Sequence, residues 1–432
     1  MPGRFLFAMF QGGGNIPVIM PIVSRLVARG HDVKVMAGPG IRPSRTPVSE
    51  GWLKRINDSG AQRVPFDAPA VHPYDGAPPL SGLAFGWMPA RFRHMAATEV
   101  RTTLWSPVWA TNIAAHLRTN PTDVLVSDFC LFGALAAAEA GGVPHAAIVH
   151  NAFHPHAEGL PAKGLGFLPA RNLKERVEQA VWQWCYDRIW MRDGVKPLNE
   201  VRVELGLPPV ASPFDQYDLA TRVLILGSRV FDFPARLPSN VRYVGTPIDD
   251  AALAGHAWES PWAEDTGEPL VLVSLSTLNQ GQGPLLHRIL QALEGLPLRA
   301  VVTVGPSLDR QEFKAPANAV LETFVPHSAI LPHVDAMVTQ CGLGTMTKAL
   351  RNGVPLVCVP VIGEQTDNAV RAEARGTAIR LTSSASSEEI RSALTQILAD
   401  PRFRDSARAL ASQMDQRPAE DVACDEIESL AC

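Results

Sequence analysis

Apolar residues follow two alternating rhythms along this chain. Arg4–Phe10 is a continuous apolar run of strand length. Ile16–Arg29 carries apolar side chains at helical spacing and stops at Gly30, and Asp32–Met36 is a second short apolar run. Strand, helix and strand within about 35 residues predict a parallel βαβ unit, because parallel neighbours need a crossover. Val124–Ser127, Phe132–Ala140 and Ala146–Val149 repeat the order. The rhythm then restarts. Leu270–Leu275, Leu285–Glu294 and Ala300–Val304 read as strand, helix and strand, as do Asp335–Val338, Thr345–Asn352 and Leu356–Val359. Two such arrays predict an α/β protein with two Rossmann-like, doubly wound domains facing a cleft. Their expected bounds are 1–240 and 268–400. A linker over 241–267, rich in Pro, Gly and acids, joins them, and a helical tail over 401–432 follows.

Length and composition agree with this reading. The 432 residues are 46% hydrophobic and 19% charged, enough for two cores. Lys and Arg number 39 against 43 acids, a net charge of −4, which argues against a nucleic-acid partner. Six cysteines without a CxxC pair predict reduced thiols, a cytoplasmic location and no structural zinc. No run reaches the ~18 apolar residues of a membrane span.

The densest chemistry lies between Phe324 and Ala369. There the run Gln340-Cys341-Gly342-Leu343-Gly344-Thr345 joins a strand to a helix. Glycines let backbone approach a ligand, and the free N–H groups of a helix N-terminus favour a phosphate. A ligand-free turn would look the same. The whole segment narrows the choice. Phe324-Val325-Pro326, the Gly-x-Gly-Thr turn, Gly353-Val354-Pro355, Glu364-Gln365 and Asn368 stand in the order and spacing of the donor site in nucleotide-sugar glycosyltransferases. The chain resembles the macrolide and UDP-glucuronosyl type of family 1, which has the two-domain GT-B fold.

That resemblance implies roles. Phe324 would lie against the nucleobase, with the Val325 backbone reading its edge. Gln340, Gly342, Gly344 and Thr345 would hold the diphosphate, with Ser276 and Thr277 facing it from the other side. Glu364 and Gln365 would bond the sugar hydroxyls. No bound cofactor or metal is implied; a TDP- or UDP-linked sugar is the co-substrate. The first domain would take a hydrophobic small-molecule acceptor, probed by Gly14, Phe85, Trp87 and His150. Seven of the nine tryptophans lie before residue 200, and aromatic walls suit flat acceptors. For Trp182, Trp184 and Trp190, on a helical run, packing is the default. The tail would cross back onto the first domain, in a monomer or homodimer.

Three positions depart from the family pattern. Gln340 stands where the family has His, and Lys348 where it often has Glu. Lys has no lone pair for a ribose hydroxyl, which favours a deoxyribose donor such as TDP-sugar. Gly14 stands where a loop His acts as base. Its usual partner is present as Asp128, after Val124–Ser127. Asp128 then acts directly or through a water, orients another group, or caps the helix Phe132–Ala140. His72, His94, His150, His154 and His156 are other candidates for the base. Carbon–carbon coupling would relax the demand for one.

Two rivals remain. A nicotinamide dehydrogenase needs Gly-x-Gly-x-x-Gly, which Pro17 breaks, and an acid after the second strand, where Ala37-Gly38 stands. A catalytically silent nucleotide-sugar binder, or an accessory subunit of an active transferase, would also carry these departures. The expectation is an inverting glycosyltransferase of hexosyltransferase type, active on a natural product.

Overall fold

The computed structural model describes residues 2–11, 15–39, 50–69, 73, 102–151, 157–247, 258–262, 267–275, 280–305, 307–361, 363–414 and 416–431. Thirteen strands among these residues form two all-parallel sheets. The first contains β1 (Arg4–Phe10), β2 (Asp32–Gly38), β3 (Gln62–Val64), β4 (Val124–Asp128), β5 (His145–Val149), β6 (Arg222–Ile225) and β7 (Val241–Tyr243), in the order β3-β2-β1-β4-β5-β6-β7. The second contains β8 (Leu270–Ser274), β9 (Arg299–Thr303), β10 (Ala319–Glu322), β11 (Ala336–Thr339), β12 (Leu356–Cys358) and β13 (Ala378–Arg380), in the order β10-β9-β8-β11-β12-β13. Helices cover both faces, so the central strands are buried throughout. Phe5 to Met9 are all 2% exposed or less, as expected for a parallel sheet.

The helices of the repeated units form where the periodicity predicts them. Ile16–Ala28 and Phe132–Ala140 match within a residue. Gly283–Leu293 starts two residues earlier than its apolar stripe, because Pro284 fits the first helical turn. The edges of the domains differ from the sequence reading. Val241–Tyr243 is the last strand of the first sheet, inside the segment read as linker. Phe231, from the turn after β6, packs among the core residues of the second domain.

The last helix, Ala419–Glu428, lies on helix Ile16–Ala28. Ala423, Cys424 and Ile427 join the core of the first domain. Arg29 bonds Asp421 at 2.9 Å and Asp425 and Glu428 at 2.8 Å, and His31 meets Glu428 at 2.8 Å.

Helix Phe132–Ala140 crosses helix Ser106–Thr119 so closely that a Cβ on Gly133 would stand 1.9 Å from the Ser106 carbonyl oxygen. Trp105, Trp109 and Ala134, Ala137 and Ala138 pack in the same cluster. Gly133→Ala must therefore push two helices apart, and we expect a loss of at least about 1–3 kcal/mol. Urea unfolding checks this; an unchanged midpoint would contradict the crossing. Three of the seven tryptophans in this half serve packing, since Trp52, Trp105 and Trp109 are buried. Trp184 breaks the packing expectation: it is 60% exposed on helix Leu173–Asp193, because that helix turns its other face to the core.

Candidate active site

Ligands of open α/β sheets sit where the strand order reverses, beyond the carboxyl ends. In the first sheet the reversal falls between β1 and β4, and Asn15 and Asp128 span it. Asn15, 1% exposed, sits at the start of helix Ile16–Ala28. Its Nδ2 donates to the Phe10 carbonyl at 2.9 Å and to Asp128 Oδ2 at 2.8 Å. Asn15 Oδ1 is buried with no protein partner. Asp128 ends β4 and is 1% exposed.

The Asp128 side chain does not cap the following helix. The residue preceding Phe132–Ala140 is Leu131, with no side-chain cap bond. It is the Asp128 carbonyl that accepts from Leu131 N–H, at 3.0 Å. The carboxylate instead turns to the gap. His150, just past β5, places Nε2 3.5 Å from Asp128 Oδ1, and its ring stands edge-on to Phe129 at 5.0 Å. Cys130 Sγ lies 3.7 Å from the same Oδ1. Burial alone would lower the His150 pKa. The Asp128 carboxylate, with help from the charge of Glu364, outweighs it, so the pKa is raised above that of a free histidine.

In the second sheet the reversal falls between β8 and β11. The sequence reading used the glycines there for close approach of the backbone to a ligand and named no left-handed residue. In the structure Cys341 is left-handed, at φ 69°, whereas Gly342 has an ordinary φ of −61°. Thr339 Oγ1 accepts from the Cys341 N–H at 3.2 Å, and Asn368 Nδ2 donates to the Cys341 carbonyl at 2.9 Å. These bonds hold an uncommon left-handed residue, a conformation found at ligand clamps. Gly342 starts helix Leu343–Arg351 without a side-chain cap, so its first N–H groups have no partner within the helix. A Cβ on Gly342 would find no atom within 4 Å. Thr345 is half-buried in the same turn, and Gln340 is buried beneath it.

Helix Glu364–Ala374 begins at Gly363, whose φ of 50° with ψ of −128° calls for glycine. Glu364 is half-buried at its tip. Gln365 differs from the expectation. It is buried, its carbonyl accepts from Val361 N–H at 2.9 Å, and its amide donates to Gln280 at 2.9 Å. It braces the turn beneath Glu364. Phe324 is 61% exposed, while Val325 is buried in the core beside it. Burial first, and then the charge of Lys348, lowers the His327 pKa to about 4. The Lys348 ammonium is therefore felt on the Phe324–His327 side of its helix.

The two reversal points face each other. A Cβ on Gly344 would stand 3.7 Å from Val18 Cγ1, and one on Gly227 3.6 Å from Leu343 Cδ2. Helix Glu364–Ala374 is fastened to the first domain along its length. Asp367 accepts from the N–H groups of Gly164 at 2.7 Å and Gly166 at 3.0 Å. Arg371 Nε donates to Asp232 Oδ1 at 2.7 Å. Of the sequence-derived site residues, Asp128 and His150 stand together in the first domain, the turn carrying Gln340, Gly342, Gly344 and Thr345 stands with Glu364 and Gln365 in the second, and Phe324 and Val325 follow β10. Gly14, Phe85, Trp87, Ser276 and Thr277 lie outside the described residues, as do His72, His94, His154 and His156. Sequence reasoning missed the fastening residues, which pair over 139 positions in the case of Asp232 and Arg371. It also missed Asn15 as the partner of Asp128, although its place after the glycine run of the first loop was the available signal.

Residues 91–425 match the protein family described as UDP-glucoronosyl and UDP-glucosyl transferase. The 4'-demethylrebeccamycin synthase of Lentzea aerocolonigenes is 32% identical over 439 residues, covering 100% of both chains. The demethyllactenocin mycarosyltransferase of Streptomyces fradiae is 28% identical over 45% of this chain and 44% of its own. Among solved structures, the calicheamicin glycosyltransferase CalG4 superposes with a TM-score of 0.71 at 19% identity, covering 100% of this chain and 98% of its own. The glycosyltransferase VinC, solved in complex with dTDP, gives 0.66 at 20% identity over 99% of both chains. Both have the GT-B fold. No helix among the described residues is long and apolar enough to cross a membrane.

Proposed function

The chain belongs to the UDP-glucoronosyl and UDP-glucosyl transferase family and is a glycosyltransferase; we propose that it moves a hexose from a TDP- or UDP-sugar to a hydrophobic natural-product acceptor, with inversion at the anomeric carbon. One observation carries this reading. The uncapped helix start after β11, at Gly342–Thr345, and Asp128 at the end of β4 each stand at the reversal point of their sheet, and the charge of Glu364 reaches His150 beside Asp128.

The chemistry follows from that layout. Phe324 offers an exposed face to a nucleobase. The N–H groups at Gly344 and Thr345, and the Thr345 hydroxyl, take the diphosphate and stabilise the charge that grows on it as the sugar leaves. Glu364 holds sugar hydroxyls with its carboxylate. The acceptor then attacks from the opposite domain, in line with the leaving group, which inverts the anomeric centre. Binding both substrates in one gap supplies the alignment. Lys348, without an acceptor lone pair and with its charge directed toward the nucleoside side, favours TDP over UDP.

Calorimetric titration with TDP and UDP, followed by transfer assays and NMR of the product's anomeric configuration, tests this. We expect TDP to bind at least tenfold more tightly, and an inverted product. Stronger UDP binding would remove the deoxyribose preference. Retention of configuration would remove direct displacement. Donor binding with neither transfer nor donor hydrolysis would favour a silent sugar-nucleotide binder.

A further inference from the structure

The sequence has Gly14 where the family resemblance implies a loop histidine, and Asp128 is fixed from two sides. Its Oδ2 is fixed by Asn15 Nδ2 at 2.8 Å, and Asn15 is itself anchored on the Phe10 carbonyl at 2.9 Å. Its Oδ1 faces His150 Nε2 at 3.5 Å. Phe129 sets the plane of the imidazole from the side. His150 Nε2 has no exposed surface, while the side chain as a whole is 16% exposed. The exposed part of the side chain is therefore away from Nε2. We propose that His150, entering from the end of β5 instead of the first loop, is the catalytic base, with Asp128 and Asn15 as its positioning residues. This rests on the glycosyltransferase reading.

In the step, the acceptor O–H or N–H gives its proton to the imidazole nitrogen remote from Asp128. The heteroatom's lone pair forms the bond to the anomeric carbon as the carbon–oxygen bond to the diphosphate breaks. The electron pair leaves on the diphosphate. The imidazolium so formed is stabilised by the Asp128 carboxylate, and the proton later passes to solvent. The charged groups acting on His150 are Asp128 on β4 and Glu364 across the gap, while Asn15 and Cys130 bond the Asp128 carboxylate. Both carboxylates favour the protonated ring. Transfer should therefore rise with pH through an apparent value above that of a free histidine.

The test compares the full-length protein with His150→Gln, His150→Ala and Asp128→Asn, and measures nucleotide binding, kcat against pH and imidazole rescue. We expect kcat to fall about 10²- to 10⁴-fold in the His150 variants, the usual span for a general base. Nucleotide affinity should change less than twofold, and imidazole should partly restore His150→Ala. In Asp128→Asn the residual activity should keep a pH limb moved to lower pH, because the group that raises the His150 pKa is gone. A His150→Gln variant with wild-type kcat, or with an unchanged acid limb, overturns the proposal and leaves Asp128 as the base. Should the His150 variants fail to fold, the Asp128→Asn limb decides alone: an unmoved limb overturns the proposal. Failure of wild-type protein to bind any nucleotide would instead strike the glycosyltransferase reading.

Discussion

Asp232→Ala is expected to lower stability by about 3–5 kcal/mol, the usual cost of stranding a buried charge. Asp232 and Arg371 are 4% and 2% exposed. Arg371 Nε meets Asp232 Oδ1 at 2.7 Å, and the Tyr243 hydroxyl donates to Oδ2 at 2.5 Å. Burial and the adjacent Asp232 charge raise the Tyr243 pKa, so its proton stays on the oxygen. Arg375 also reaches this turn, through the Asp232 carbonyl and Val230. Removing the carboxylate strips the guanidinium of its bonded counter-charge against the ring of Phe233, 4.9 Å away, and leaves it only the charge of Asp367 on the same helix. The double variant Asp232→Ala/Arg371→Met removes both charges and should regain part of the loss. Chemical denaturation of the three proteins gives the coupling. A single variant within 1 kcal/mol of the parent would mean that water reaches the pair. Because Arg371 lies on the helix that begins with Glu364, the same substitution should also weaken donor use.

Gly342→Val should weaken nucleotide binding by about 10- to 100-fold, as expected for the loss of one or two hydrogen bonds to a charged group. The fold does not require glycine here. The φ of −61° is open to any residue, and an added Cβ meets no protein atom within 4 Å. The branched side chain would occupy the space in front of the Leu343–Thr345 amides. Stability should change by no more than about 1 kcal/mol, the range of a substitution at a helix start. Titration with TDP alongside thermal unfolding separates the two effects. Undiminished affinity would place the diphosphate elsewhere.

The central parallel strands were legible because they are buried on both faces and read as unbroken apolar runs. Arg4–Phe10 is the clearest case, matching residue for residue. The outer strands β3, β7 and β13, three residues each, carry too short a pattern to stand out. Glycine spacing located the turn at 340–345 but gave no sign of the left-handed residue inside it. A left-handed cysteine, pinned by Asn368 from another helix, is a tertiary effect that local composition does not record. Gln365 shows the same limit. A polar residue next to Glu364 reads as a ligand contact until Gln280, 85 positions away, is seen to engage it. The base was visible in sequence only as a gap in a pattern plus several histidines. The register of β5 against β4, pairing Asp128 with Ile148, is what brings His150 within reach.

Among the described residues, the chain crosses between its two lobes twice. One passage leaves β7, and the other precedes the final helix. They meet at Gly245, where an added methyl would stand 3.0 Å from the Ala419 methyl. A body tethered by two neighbouring threads keeps one easy axis of rotation, along the line the threads share, and resists twisting about the others. Any widening of the gap must also release or carry along the bonds that Gly164, Gly166 and Asp232 make to helix Glu364–Ala374, so the position of Glu364 stays tied to the first domain.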